Sequence, residues 1–583
     1  MNRRRHAARR PALTVLTLLI LAVSGAAGPA TAQVMAQDQS ARDATAAAPP
    51  VEPPVLDEKL GELEEGLYEG TGVRDLRSYR PDPSVVMTDR RELKGTDRWA
   101  INVRREGIAL LRGARRVAWV PMSTPGVATL PEITEAIDDP RWIEEVDDGV
   151  FLLRAALVHG SGTRLKIAGP RVREMRLADR PDVFLLGAKR AQAEIRDTRV
   201  VGWDERRDAV DADHEFSRPF ILYTNGARLD IVNSEIAYLG YDRTSAYGLS
   251  WRKGGATGSV TNSDVHHLLF GMYSFEAADI ELRDSKWHDC VYYGIDPHDF
   301  STGMVVEGNT MTDNGSHGLI FSKGVTGGLI RNNRIERNAG NGIVMDFVSD
   351  GALIVDNEVN DNKGDGIVIL GSSAAHVADN RVSGNRIGLR VNLRARRNVF
   401  ERNHVVGNRV GAQIYDGARA TSLRDNTFRD STNTGVVLNG AQTRLQGGEI
   451  SGSGVGVDVR GVATADGVSI SDVDRGIEVR DVGILRARNL RIDAEESGVQ
   501  AAPGSLTRIF DSQIDAPEPV TGALRAEEGN ELRVPLAALW LVLAGVAFLV
   551  IAVLLHLVHQ LRNRRYARVR RPPVAPPGVT NVR

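Results

Sequence analysis

One cysteine, Cys290, occurs in 583 residues. No internal disulfide can form, so the chain must draw its rigidity from another source. Cys290 itself reads as a small buried filler, because a reactive thiol needs activation and access. Aromatic residues are also scarce, at 5%. Charge of one sign is missing as well: 73 Lys and Arg stand against 75 Asp and Glu, so net charge argues for no particular partner, and no nucleic-acid partner is expected. Glycine, by contrast, reaches 59 residues, which suits a structure of many tight bends better than a helical bundle.

The two ends read as targeting segments. Residues 1–32 carry Arg3, Arg4, Arg5, Arg9 and Arg10, then the apolar run ALTVLTLLILAV and the small-residue pattern Ala30-Thr31-Ala32 of a signal peptide. Residues 33–56 form an Ala/Pro-rich linker. Residues 57–140 form an N-terminal segment in which PEITEAI, Pro131 to Ile137, predicts a short capping helix. Residues 526–535 read as a juxtamembrane linker and 536–558 as a transmembrane helix. The tail, 559–583, holds Arg562, Arg564, Arg565, Arg568, Arg570 and Arg571 and no acid, which predicts a cytoplasmic tail and a body anchored outside the membrane.

Between these ends, from 141 to 525, the chain repeats. Glycines recur at 248, 271, 294, 318, 342, 366, 388, 411 and 435, and asparagines at 309, 333, 357, 380, 403 and 426. Two residue types holding one period of about two dozen residues indicate a solenoid. The apolar runs within a period (GLIF, GIVM, GALIVDN) are strand-length, so the predicted fold is all-β, a parallel β-helix. The asparagines are expected to form an internal ladder at a bend, and the glycines to supply backbone freedom there.

Side chains alternate across a strand, which sorts the stretch YYGIDPHDFS, Tyr292 to Ser301. Ile295 and Pro297 point inward. Asp296 and His298 point to an exposed face, joined by Tyr293 if the glycine resets the alternation, with Asp299 one step beyond at the bend. Equal positions in successive coils form columns. One reads Tyr247, Phe270, Tyr293, His317, Asn341, Asp365, and another Arg252, Phe275, His298, Ser322, Asp346, Leu370. Lys323 adjoins Ser322, and Tyr273 lies beside Asp296. A groove with aromatic faces and mixed charges suits an extended polysaccharide, to which Tyr273, Phe275, Arg252, His317 and Asp346 are candidate binding residues. His298 is the natural base for a carbon-bound proton beside a sugar carboxylate. Asp296 or Asp299 would orient its ring, Lys323 would neutralise the carboxylate, and Tyr293 or a water would return the proton. Return to the opposite face epimerises the sugar; loss of the C4 oxygen cleaves the chain. A glycan-binding protein without turnover would use the same face. His266 and His267 read as structural.

Tyr293-Gly294-Ile295-Asp296-Pro297-His298-Asp299 resembles the YG-F-DPH-D/E motif of the alginate (mannuronan) C5-epimerases, periplasmic type. HGLIFSK, His317 to Lys323, and GNGIVMD, Gly340 to Asp346, continue the similarity, which covers roughly residues 220 to 400. The resemblance implies right-handed coiling and conversion of mannuronate to guluronate within a polymer. It makes His298 the base, Asp296 and Asp299 the required acids and Tyr293 the proton-transfer residue. It also shows departures. Lys323 stands where the periplasmic enzymes carry an arginine, keeping the charge but losing the two-pronged grip. No glycine- and aspartate-rich calcium repeats occur, so no calcium, other metal or cofactor is expected. The C-terminal span is foreign to the family. A polyuronate is the expected partner, and the residues name no protein partner.

Overall fold

The computed structural model describes residues 98–569 apart from Thr244, Ala441, Glu527 and Glu528. The expected signal peptide, the Ala/Pro linker, the start of the 57–140 segment and the end of the tail lie outside the described residues.

Through the repeat region each period folds into three short strands separated by bends, and each strand pairs in parallel with its counterpart one period later. The strands that follow the repeat glycines form the front sheet: β1 (Gly248–Arg252), β2 (Phe270–Phe275), β3 (Ile295–His298), β4 (Leu319–Ser322), β5 (Ile343–Asp346), β6 (Ile367–Leu370) and β7 (Ile387–Asn392). Their register is in phase: Phe275 opposes His298, His298 opposes Ser322, Ser322 opposes Asp346, and Asp346 opposes Leu370. Ile295, Leu319, Ile343 and Ile367 stack inward, all fully buried in one continuous core.

The asparagine ladder exists, and there are two of them. In the first, the backbone N–H and the Nδ2 of Asn309 both donate to Oδ1 of Asn333, and the pattern passes through Asn357, Asn380 and Asn403 to Asn426 at 2.9–3.2 Å. The second runs Asn314, Asn338, Asn362, Asn385, Asn408 at the next bend. A left-handed residue precedes each asparagine of the first ladder (Gly308, Asn332, Asp356, Asp379, Arg402 and Asp425, φ 49–68°) and turns its side chain into the core. Asn and Asp tolerate that conformation, which is why such residues can share these corners with glycine.

The repeat glycines have a different reason from the one expected. After Gly248 (φ 117°) none of them has a left-handed φ. They are needed because a Cβ would collide with the next coil. At Gly342 it would lie 2.3 Å from Val359 Cγ1 and 2.8 Å from the Gly366 carbonyl oxygen. The constraint is space, not backbone freedom.

At the N-terminal end α1 (Leu130–Ile137) begins where PEITEAI predicted. Thr129 and Glu132 close a capping box, and Leu130 and Ile133 insert into the core. At the other end the coils continue past residue 525. Glu531–Arg533 pairs with Gln513–Asp515, so part of the segment read as linker is strand, held by Leu532 opposite the buried Ile514. α2 (Leu536–Val569) follows. Among the described residues it alone is long and apolar enough to cross a membrane, over Leu543–Arg562.

Asn357→Ala would leave the Asn333 N–H and Nδ2 without their acceptor inside the core. Each orphaned buried donor costs ~1–3 kcal/mol, so the variant is expected to lose at least ~2 kcal/mol of stability by denaturant unfolding. An unchanged midpoint would show that the ladder carries no net stability.

Candidate active site

β3 presents Asp296 and His298 on the side opposite Ile295 and Pro297. His298 Nδ1 lies 2.6 Å from Asp299 Oδ2. Asp299 is in reach because the chain turns left-handed there (φ 30°), as it does at Lys323 in the next coil (φ 55°) and at Phe347 after that (φ 42°). The Phe300 N–H donates to the Lys323 carbonyl, which ties these corners together. A column of turned residues therefore borders the face and brings Asp299 and the Lys323 backbone to its edge. The Nδ1–H of His298 donates to Asp299, so its Nε2 carries the free lone pair. The side chain is 17% exposed, enough for a substrate edge to reach it.

The predicted column before the glycine is a contact chain. Tyr247 lies 5.0 Å from Phe270, Phe270 lies 5.5 Å from Tyr293, and Tyr293 stacks on His317 at 5.2 Å and 20°. His317 Nδ1 accepts from the Asn341 N–H (2.9 Å), and Asn341 Oδ1 accepts from the Asp365 N–H (2.7 Å). The Nδ1 of His317 is thus an acceptor, so this histidine is neutral and carries its proton on Nε2. Burial, with the Arg390 charge adding to it, holds its pKa down to about 4.

One expectation fails. Asp296 is not exposed: it is 2% accessible. Its outward column, which Tyr273 precedes, continues through Ile320, Val344 and Val368, a buried apolar floor against which Tyr293 packs. Desolvation therefore pushes the Asp296 pKa up to about 7, with Asp299 and Asp346 adding repulsion while His298 and a bond from Ser322 oppose it. Burial lowers the affinity of His298 for a proton, but the Asp296 charge and the Asp299 hydrogen bond outweigh burial and the Lys323 charge, and its pKa ends above the ordinary 6.5. Burial raises the Tyr293 and Tyr273 hydroxyls too, so both stay protonated at neutral pH.

The remaining candidates are distributed along the face. The Tyr273 ring lies 5.5 Å from that of His298, and the Arg252 guanidinium sits over the Tyr273 and Phe275 rings at 5.7 and 5.2 Å. Asp346 is buried and close enough to raise Asp296. His266 and His267 lie elsewhere, in and just after the strand Asp264–His266 in a different row of the coil, where His266 stacks on His288. Cys290 is buried, and desolvation pushes its thiol up to about 12. Among the described residues no group of three or more His, Cys, Asp or Glu side chains is placed to hold a metal ion.

The repeat and this face define the class: a right-handed parallel β-helix protein. The family model described as "Right handed beta helix region" matches residues 220–382, 324–422 and 348–450. The resemblance to the mannuronan C5-epimerases also holds beyond the motif. The chain is 29% identical over 333 residues to the mannuronan C5-epimerase of Pseudomonas putida, covering 54% of this chain and 62% of that one. It is 32% identical over 195 residues to mannuronan C5-epimerase AlgG of Azotobacter vinelandii, covering 31% and 37%. The chain thus spans less than two thirds of these curated relatives. The crystal structure of the periplasmic alginate epimerase AlgG matches at 23% identity over 60% of this chain and 83% of that chain, with a TM-score of 0.48.

The His298 assignment is open to titration. Followed by NMR of its ring, His298 is expected to titrate above 6.5. Asp299→Asn removes a carboxylate that stabilises the imidazolium, so its midpoint should move down. A midpoint that stays put would detach Asp299 from His298.

Proposed function

We propose that this chain is a polyuronate C5-epimerase, acting on a mannuronate-like polymer. The observation that carries the proposal is the placement of His298. Its Nδ1 is held by Asp299 and its Nε2 is free, within electrostatic reach of Lys323, on a face lined by Tyr273 and Tyr293. The relatives' names supply the substrate class.

In this reading Nε2 of neutral His298 takes the C5 proton. The electron pair left behind spreads into the sugar carboxylate, where negative charge builds. Lys323 neutralises it, while Asp296, buried beneath the face, does not reach the sugar and acts through His298, whose proton affinity its charge raises. The Tyr293 hydroxyl, protonated and on the same face, returns a proton to the opposite face of C5 and is recharged from solvent, while His298 releases the C5 proton to solvent. C5 regains one proton for the one lost, with inverted configuration. We further propose that α2 anchors the β-helix on the extracytoplasmic side, with the arginine-rich tail in the cytoplasm.

His298 must be neutral to act, so the rate should rise with pH through its raised pKa, placing the acidic limb above 6.5. The decisive measurement is incubation with polymannuronate in deuterated water. Label is expected at C5, without the ultraviolet-absorbing double bond that a lyase makes. His298→Ala should slow exchange by ~10²–10⁴-fold. Exchange at the parent rate would remove His298 as base, and an unsaturated product would make the chain a lyase.

A further inference from the structure

The front face carries a second concentration of charge that the proton transfer does not use. Val344 opposes Val368, and Val368 opposes Arg390 in β7. Arg390 therefore occupies the outward position of Asp296 four coils further on, roughly 19 Å away at ~4.8 Å per coil. Between them runs the apolar floor of Ile320, Val344 and Val368.

Arg390 is fixed rather than free to wander. Asp365, fully buried, accepts two hydrogen bonds from Arg386 (2.9 and 3.0 Å) and pairs with Arg390 at 2.8 Å. Two guanidinium groups share one carboxylate, so the cluster keeps one positive charge. The Arg390 side chain is 16% exposed, and its buried Nε has no hydrogen-bond partner. Two positions along the same strand, Asn392 Nδ2 donates to Tyr415 Oη (3.1 Å), while Asn392 Oδ1 is buried without a partner. Polar groups left unsatisfied at one spot are costly, and a native structure that retains them needs a reason. The accessible part of the Arg390 guanidinium, fixed in place by Asp365, can pair with a uronate carboxylate, and the Tyr415 hydroxyl held by Asn392 can bond a sugar hydroxyl.

We infer that Arg390, with Asn392 and Tyr415, forms a distal subsite for a carboxylate-bearing sugar of the same polymer chain whose reacting residue lies at His298. The inference rests on the proposed function and adds a length requirement to it. The chain is held at two points joined by the apolar floor, and only a polymer long enough to reach both gains from the second. Arg252, two coils to the other side of His298, marks the opposite end.

The test uses the full chain in detergent and a size ladder of oligomannuronates, followed by C5 deuterium exchange. The readout is the ratio of KM for short oligomers to KM for long ones. In the parent protein this ratio should be large. Arg390→Met should reduce it about tenfold, the loss of one charge-assisted pair, and Arg390→Lys should restore part of it. Should Arg390→Met fail to fold once Asp365 has lost a partner, Tyr415→Ala leaves that pair intact and should reduce the ratio severalfold. A ratio unchanged in these variants, or a KM increase equal at every length, would overturn the distal subsite and leave the epimerase proposal standing. Absence of exchange by the parent protein at any length would overturn both.

Discussion

Register between successive coils is the constraint from which everything else follows. A residue on the front face has as its neighbours the residues one period before and after it, because the strands pair in parallel with matched positions. The two asparagine ladders enforce that match from inside. Each amide both accepts and donates to the next coil, so a slip by one residue would break the entire column. With one cysteine in the chain, this network of buried amides does the work that cross-links do in many exported proteins.

The face owes its chemistry to how unevenly the coils are covered. Corner residues in the left-handed conformation turn Asp299 toward His298. On the same strand Asp296 is buried while the edge of His298 stays open. Two carboxylates within the same motif thus acquire different characters: Asp299 holds the ring, and Asp296, desolvated, holds a proton near neutrality. Burial creates that difference.

The period was legible in the sequence because glycine and asparagine marked it independently. Once the period was known, the column from Arg252 through His298 to Leu370 could be written down correctly. Quantities that depend on depth were hidden. Alternation says which side Asp296 faces, but not how deeply it is buried. The second ladder, Asn314 to Asn408, holds the same period and was visible in principle; a single ladder sufficed to argue the fold, and the second went unused. The glycines were assigned to the wrong cause because sequence shows where a Cβ is missing and not what would have met it. Arg390 and Tyr415 escaped because they lie beyond the motif, where only the folded stack shows that they share its face.

The position of the reactive coil along the stack has a further consequence. In a solenoid each turn is supported mainly by its two neighbours, so disorder enters at the extremities and works inward. His298 lies well inside the row, with coils extending back toward α1 and forward to Arg533. Warming should therefore unravel the margins of the molecule while the coils around His298 are still intact.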